Sequence, residues 1–125
     1  MTAFRAVVLE HFRRPRNRGL LADATVSAEG ANSLCGDRIR IQLRVVDGAV
    51  VGAGFTADAC ALCIASASLL TDHVRGMSVA RAALVDAQWV HTAIEGRPPP
   101  GRARCAALPL ETLRRAVASL CAVTL

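Results

Sequence analysis

The sequence predicts an α+β fold in which a three-stranded antiparallel sheet carries helices, and two patterns support this prediction. The first is residues 38–46, where apolar and polar side chains alternate as in a strand with one buried face. The second is Asp47-Gly48, the strongest short signal for a type I′ hairpin turn, followed by residues 49–56 as the partner strand. Residues 24–32 form a weaker strand candidate, which we expect at the edge beside this hairpin.

The alternation assigns the residues of the central strand to two faces. One face is apolar and is expected to be buried: Ile39, Ile41, Leu43 and Val45. The opposite face is polar: Arg38, Arg40, Gln42 and Arg44. A half-buried strand of this kind needs helices on its apolar face.

Helical spacing predicts the remaining elements. Residues 3–13 carry an apolar stripe of Phe4, Val7, Val8 and Phe12 that is expected to lie on the sheet, and Pro15 ends this helix. Further helices are predicted over residues 61–74, 79–85 (with Ser78 as N-cap), 86–95 and 110–122, and residues 96–101 form a proline-rich loop.

Composition is typical of one small domain spanning residues 1–125. The chain is 53% hydrophobic with a mean hydropathy of +0.36, yet its apolar stretches are too short or too interrupted for a membrane span. No secretory signal is recognised at the start, so a cytoplasmic location is expected. In a reducing compartment the five cysteines indicate free thiols, metal ligation or sulfur chemistry more than disulfides.

The formal net charge of +5 is the excess of fifteen basic over ten acidic residues, and all fifteen basic residues are arginine. Residues 1–20 are the most basic stretch and would suit an acidic partner or a phosphate backbone. The chain has no tyrosine, three phenylalanines and one tryptophan, which leaves few rings for stacking on bases. Nucleic-acid binding is therefore an unfavoured third hypothesis.

Four residues are candidate metal ligands: Cys35, Asp37, Cys60 and Cys105. The hairpin brings the first three to one rim of the sheet, and Gly36 frees the backbone of the Cys-Gly-Asp turn. Three thiolates and one carboxylate can complete a tetrahedral zinc site or hold an iron–sulfur cluster. The alternative is that these cysteines are ordinary small apolar residues of the core, and spacing alone leaves the two interpretations about even.

Three ordered motifs resemble the IscU/NifU-N/SufU family of iron–sulfur cluster assembly proteins. They are C-G-D at residues 35–37, C-A-L-C-I-A-S-A-S at residues 60–68 and R-C-A-A-L-P-L at residues 104–110. The opening helix with R-R-P-R-N-R-G also resembles the start of that family. The resemblance implies an IscU/NifU-N-like α+β fold, with a three-stranded antiparallel sheet and helices packed mainly on one face.

Within the family, Arg104-Cys105 is similar to the basic-Cys pair of the SufU branch. That branch implies a zinc-dependent sulfurtransferase that receives persulfide sulfur from a cysteine desulfurase. Cys35 would be the sulfur acceptor, Asp37, Cys60 and Cys105 the other Zn²⁺ ligands, and Arg102 a candidate for the desulfurase contact. Downstream partners would be a scaffold or apo-proteins that receive iron–sulfur clusters.

Two departures keep a second interpretation open. The segment before the third motif is too short for the insertion typical of SufU, and Cys63 occupies a position that in the family does not ligate. The alternative is a scaffold that builds a [2Fe–2S] cluster on Cys35, Asp37, Cys60 and Cys105 and passes it to apo-proteins.

Other reactive side chains are assigned structural roles. His11, His73 and His91 are expected on helix surfaces away from the ligand motifs, and Cys121 is expected to pack in the last helix. Ser66 and Ser68 are interpreted as small residues that allow close helix packing. Trp89 could belong to the core or to a surface that binds a partner, and the sequence does not decide between these.

Overall fold

The computed structural model describes residues 5–123, with side chains described as far as residue 120. In chain order the elements are α1 (Ala6–Arg13), β1 (Val26–Asn32), β2 (Asp37–Val46), β3 (Ala49–Asp58), α2 (Ala61–Val74), α3 (Val79–Ala82), α4 (Ala87–Ala93) and α5 (Ala103–Val123). The strands form an antiparallel sheet in the order β1-β2-β3, which confirms the predicted fold class. Phe4 and the side chain of Cys121, for which packing was predicted, lie outside the described residues.

The β2–β3 hairpin has the predicted turn. Asp47 and Gly48 have φ angles of 50° and 74°, and a type I′ turn needs this left-handed conformation at both positions. On β2, Ile39, Ile41 and Leu43 are buried as predicted. Val45 is only half-buried, because the pairing of β2 with β3 shifts between Arg44 and Val45.

Helix α2 lies at the centre of the helical layer and contacts β3, α1 and α5. Neighbours on several sides bury ten of its fourteen residues. Its first turn therefore has little freedom to move relative to the sheet.

Helix α1 packs against α2, and the prediction that it lies on the sheet is wrong. Val8 of the predicted stripe is buried, but Phe12 is 40% exposed and His11 is buried in its place. The His11 ring can be buried because Ser68 of α2 supplies a hydrogen-bonding partner, with 2.7 Å between Nδ1 and Oγ. The prediction that His11 lies on the helix surface is therefore wrong.

Helix α5 starts at Ala103, earlier than the predicted start at residue 110. Pro109 lies inside this helix and does not precede it. Proline lacks the N–H that would bond the carbonyl four residues earlier, here that of Cys105. The Ser66 hydroxyl donates to the Ala106 carbonyl at 2.8 Å, which ties α2 to the first turns of α5. Cys105 therefore sits on the first turn of a helix rather than on a loop.

The two short helices are correctly placed but shorter than predicted. Ser78 is the N-cap of α3, and its hydroxyl accepts from Arg81 N at 3.1 Å. The carboxylate of Asp86 caps α4 in the same way, accepting from Trp89 N at 2.9 Å.

The segment between α1 and β1 covers the free edge of β3. Phe55 N donates to the Asn17 carbonyl at 3.0 Å, and Gly19 N donates to the Phe55 carbonyl at 2.7 Å. The chain then crosses the polar face of the sheet, where Leu21 N donates to Gln42 Oε1 at 2.8 Å. Within the described residues, none of the helices has both the length and the apolar character needed to cross a bilayer.

Candidate metal centre

The turn that joins β1 to β2 places Cys35 in solvent at the rim of the sheet. Asn32 shapes this turn: its carbonyl accepts from Cys35 N at 3.3 Å, and its Oδ1 accepts from Leu34 N at 3.2 Å. Gly36 follows with φ of +70°, a conformation that glycine adopts without strain. Among the cysteines with described side chains, Cys35 is the exposed one.

Asp37 begins β2 and is 3% exposed. Its Oδ1 accepts a hydrogen bond from the backbone N–H of Cys60 at 3.0 Å, and this ties the start of β2 to the start of α2. Its Oδ2 is buried without a hydrogen-bond partner in the described part of the chain. A buried carboxylate oxygen with no partner is unfavourable, and a metal ion would compensate it.

Cys105 reaches the same point from the first turn of α5 and is fully buried. Its Sγ lies 3.6 Å from the Sγ of Cys35. The ligand atoms of Cys35, Asp37 and Cys105 all lie within 4.8 Å of one another. Two thiolates bound to one tetrahedral zinc at about 2.3 Å are about 3.8 Å apart, so this spacing and this donor set fit Zn²⁺.

Cys60, the N-cap residue of α2, is half-buried beside this cluster. Its Sγ does not belong to the set of mutually close ligand atoms, so the structure brings three of the four predicted ligands together. Burial raises the pKa of the Cys105 thiol, and the neighbouring side chains of Asp37, Cys35 and Cys60 raise it further. Cys60 thus adjoins the cluster, next to Asp37 and Cys105, without belonging to its group of close ligand atoms.

Arg102 is exposed at the mouth of the cluster, immediately before α5. Its pKa is raised by a hydrogen bond with Cys60 and by the charge of Cys60, against a small desolvation effect, with smaller contributions from Cys105 and Cys35. The guanidinium group therefore lies close to the sulfur atoms and favours negative charge on them.

Cys63 is fully buried one helical turn after Cys60 and does not belong to the cluster of close ligand atoms. Burial raises the pKa of its thiol, and the charges of Asp37 and Cys60 raise it further. A buried neutral thiol of this kind behaves as a small apolar residue.

The three histidines also lie outside this group of close ligand atoms. His73 stacks on Trp89 with the ring centroids 4.2 Å apart, and Trp89 is partly buried against the core.

Sequence reasoning missed two sets of supporting residues. Asn32, which shapes the Cys35 turn, was not singled out, although Asn before a Gly-containing turn is a recognisable signal. Ser66 and Ser68 were interpreted through their small size, whereas their hydroxyls join α2 to α5 and to α1. No local pattern identifies these long-range partners.

Comparison with known proteins agrees with this fold. The model of the NifU-like N-terminal domain matches residues 3–123, so the chain belongs to that family. The bifunctional protein NifU/MnmA of Rubrobacter xylanophilus is 36% identical over 87% of this chain, which spans 22% of its length. The zinc-dependent sulfurtransferase SufU of Bacillus subtilis is 36% identical over 62% of this chain and 52% of its own.

A third relative, the iron–sulfur cluster assembly scaffold protein IscU of Haemophilus influenzae, is 31% identical over 93% of this chain and 94% of its own. Among solved structures, a SUF-system protein of Fervidobacterium islandicum superposes with a TM-score of 0.79, covering 92% of this chain and 96% of its own at 19% identity. That likeness concerns the fold. The chain spans about half or less of the first two relatives, and those relatives carry further sequence.

Proposed function

We propose that this protein takes part in iron–sulfur cluster assembly as a zinc-dependent sulfurtransferase that accepts persulfide sulfur on Cys35 from a cysteine desulfurase. The observation that carries the proposal is the contrast within the cluster. Cys35 is exposed on a glycine-containing turn, while Asp37 and Cys105 are buried within 4.8 Å of it. A donor protein can reach the Cys35 thiol but not the buried side chains of Asp37 and Cys105 beside it.

Cys35, Asp37, Cys60 and Cys105 would hold Zn²⁺. When bound, the ion supplies charge that keeps the thiolates deprotonated and protects them from adventitious oxidation. The chain itself contributes the arrangement of donors. Asp37 keeps one carboxylate oxygen on Cys60 N and leaves the other facing the cluster.

Sulfur transfer itself needs one nucleophile. The Cys35 thiolate attacks the outer sulfur of the desulfurase persulfide, so the S–S bond of the donor breaks and the donor cysteine leaves as a thiolate. Cys35 then carries the persulfide. Sulfur oxidation states are exchanged between the two proteins, and no external oxidant or reductant is consumed.

Arg102 is proposed as a desulfurase contact. It is exposed, and the rise of its pKa places its guanidinium group next to the sulfur atoms of the cluster. Positive charge around the acceptor would steer an acidic surface of the donor enzyme toward Cys35.

A second candidate function is that of a scaffold that assembles a [2Fe–2S] cluster and transfers it to apo-proteins. The observation that favours it is the same donor set of thiolates and a carboxylate, together with the 31% identity to the IscU scaffold over 93% of this chain. Here iron and sulfide would be cargo rather than a resident cofactor. The cytoplasm remains the proposed location for either function.

Metal and sulfide analysis separates the two candidates. The protein is purified without added metal, and zinc, iron and acid-labile sulfide are measured per chain. Zinc near one per chain without sulfide supports the sulfurtransferase, whereas iron with sulfide supports the scaffold. If neither metal is found, the cluster does not hold a metal and the proposal of a zinc-dependent sulfurtransferase fails. Cys63→Ala is the matched control, because it removes a nearby thiol that does not belong to the cluster.

A further inference from the structure

Two sulfur atoms of the cluster have contrasting surroundings. Cys35 is exposed on the β1–β2 turn, whereas Cys105 is fully buried on the first turn of α5. Their Sγ atoms are nevertheless 3.6 Å apart. This is about the distance at which reacting atoms are held in a near-attack arrangement, roughly 3–3.5 Å.

We propose that Cys105 is a resolving thiol that releases the sulfur bound on Cys35 as hydrogen sulfide when the site holds no metal. The proposal depends on the proposed function only for the origin of the persulfide on Cys35. It adds an activity, sulfide release, to the acceptance of sulfur.

The step balances without an external reagent. The Cys105 thiol passes its proton to the outer sulfur of the persulfide as its own sulfur attacks Cys35 Sγ, a disulfide forms between the two cysteines, and the bond from Cys35 Sγ to the outer sulfur breaks. The outer sulfur leaves with its own hydrogen and the hydrogen of Cys105 as H₂S. It is reduced by two electrons, and these come from the oxidation of the two thiol sulfurs to a disulfide.

The surroundings of each cysteine suit its part in this step. A disulfide needs the sulfurs at about 2.05 Å, so one of them must move by about 1.5 Å. The Cys35 turn can supply that movement because it is exposed and followed by Gly36 at φ of +70°. Cys105 stays fixed, since Ala106 N donates to the Arg102 carbonyl at 3.1 Å in the first turn of α5.

Burial of Cys105 also separates the two roles. A donor protein or a small persulfide can load Cys35 from solvent but cannot reach Cys105. The outer sulfur is therefore accepted by Cys35, and Cys105 remains a free thiol that can attack Cys35 Sγ. The remaining cysteines with described side chains are placed less well, since neither Cys60 nor Cys63 has its sulfur in the group of close ligand atoms. A bound metal would hold both Cys35 and Cys105 and so suppress the release.

The test uses metal-free full-length protein loaded with a low-molecular-weight persulfide and then desalted to remove the donor. Sulfide release is followed over time, and non-reducing peptide mass spectrometry maps the disulfide. We expect up to one sulfide per loaded chain and a Cys35–Cys105 cross-link. Zinc added before loading should lower both.

Variants make the result decisive. Cys105→Ser should keep the persulfide on Cys35 and lose most sulfide release, while Cys63→Ala should release sulfide as the unaltered chain does. Equal release from Cys105→Ser, or a cross-link from Cys35 to another cysteine, would overturn the proposal. So would transfer of the outer sulfur to Cys105 without any sulfide. Mapping the cross-link in the unaltered chain keeps the test valid even if Cys105→Ser folds poorly.

The same experiment distinguishes this proposal from the proposed function. If the small persulfide loads Cys35 and no disulfide forms, the resolving role fails while acceptance from a desulfurase stands. If a desulfurase fails to load Cys35 but the small persulfide loads it and sulfide is released, the proposed function fails while the resolving role stands.

Discussion

The Asp37 carboxylate accepts a hydrogen bond from the backbone N–H of Cys60 at 3.0 Å, across 23 residues of sequence. This one contact joins the first residue of β2 to the N-cap of α2. It leaves the second carboxylate oxygen buried, without a hydrogen-bond partner in the described residues. Asp37 thereby has two roles, one in holding the loops together and one in offering a ligand.

The two roles of Asp37 can be separated by substitution. Asp37→Asn retains an oxygen for Cys60 N but removes the carboxylate, so zinc retention should fall while the metal-free fold is kept. Asp37→Ala removes both and should also loosen the first turn of α2. Zinc affinity is measured by competition with a chromogenic chelator, and loop order by amide hydrogen exchange at Cys60. Unchanged zinc affinity in both variants would mean that Asp37 is structural only.

Metal removal should lower the melting temperature of the protein. A ligand that binds only the folded state stabilises it by about 2.7 kcal/mol at 100 times its Kd, and the cluster adjoins the starts of β2, α2 and α5. Thermal melts before and after chelation measure the effect. Cys105→Ser should abolish the zinc-dependent part of the shift. If the melting temperature is the same with and without zinc after confirmed metal removal, zinc binding does not contribute to the stability of the fold.

Cys63→Ala should retain metal and sulfur acceptance. Its thiol is fully buried and is not part of the cluster, so the substitution removes one buried atom at a cost of about 1 kcal/mol. Zinc content, chemical denaturation and persulfide loading check these three points. Release of the metal by Cys63→Ala alone would show that Cys63, and not Cys60, completes the site.

Stability should fall in mild acid because of His11. Burial and the charge of Arg16 lower the pKa of His11 in the folded state, although Asp72 and Glu10 act in the opposite direction. The unfolded chain therefore takes up the proton first, and stability is lost as the pH falls through about 6.5 and below. Protonation would also disturb the contact of the ring with Ser68, whose Oγ already accepts from Arg16 N.

Urea unfolding at about pH 7.5 and about pH 5.5 measures this effect. His11→Gln should show a smaller loss of stability between the two pH values than the unaltered chain. Some loss should remain, because burial and Arg81 also lower the pKa of His73. An equal loss in both proteins would assign the acid sensitivity to other groups.

Gly30 allows α5 to lie close against β1. A Cβ at this position would overlap Thr112 Oγ1 and lie 3.1 Å from Leu108 Cδ1, so Gly30→Ala should destabilise the protein by about 1–3 kcal/mol. Chemical denaturation measures the loss. Thr112→Ser in the same chain keeps Oγ and should not restore stability, whereas Thr112→Ala removes the overlapping atom and should recover part of it. Gly36→Ala is a useful comparison, because nothing lies within 4 Å of a Cβ there and only the positive φ opposes it.

The hairpin and α2 were predictable because they depend on local signals. Alternation over residues 38–46 and the Asp47-Gly48 turn specify neighbouring strands, and the resulting sheet order is confirmed. Three of the four predicted ligands converge: Cys35 and Asp37 flank the turn that starts β2, and Cys105 joins them from α5. The placement of Cys105 depends on α5, whose early start was hidden by Pro109.

The predictions failed at positions whose burial or contacts depend on residues that are distant in the sequence. The burial of His11 depends on Ser68, which lies 57 residues further along the chain, and no helical pattern in residues 3–13 contains that information. The surroundings of Cys60 are likewise set by distant residues, since Asp37 accepts from its backbone N–H and Arg102 interacts with its side chain. The periodicity of a helix predicts which face a residue lies on, but it does not predict which polar side chain from another element contacts that face.

Mapping the persulfide tests the central claim most directly. Zinc-loaded protein is incubated with a cysteine desulfurase and cysteine, and the modified peptide is identified by tandem mass spectrometry. The persulfide should be found on Cys35, which is exposed, and should be absent from Cys35→Ser while Cys63→Ala carries it normally. Persulfide on another cysteine of the unaltered chain, or none on any, would contradict the account.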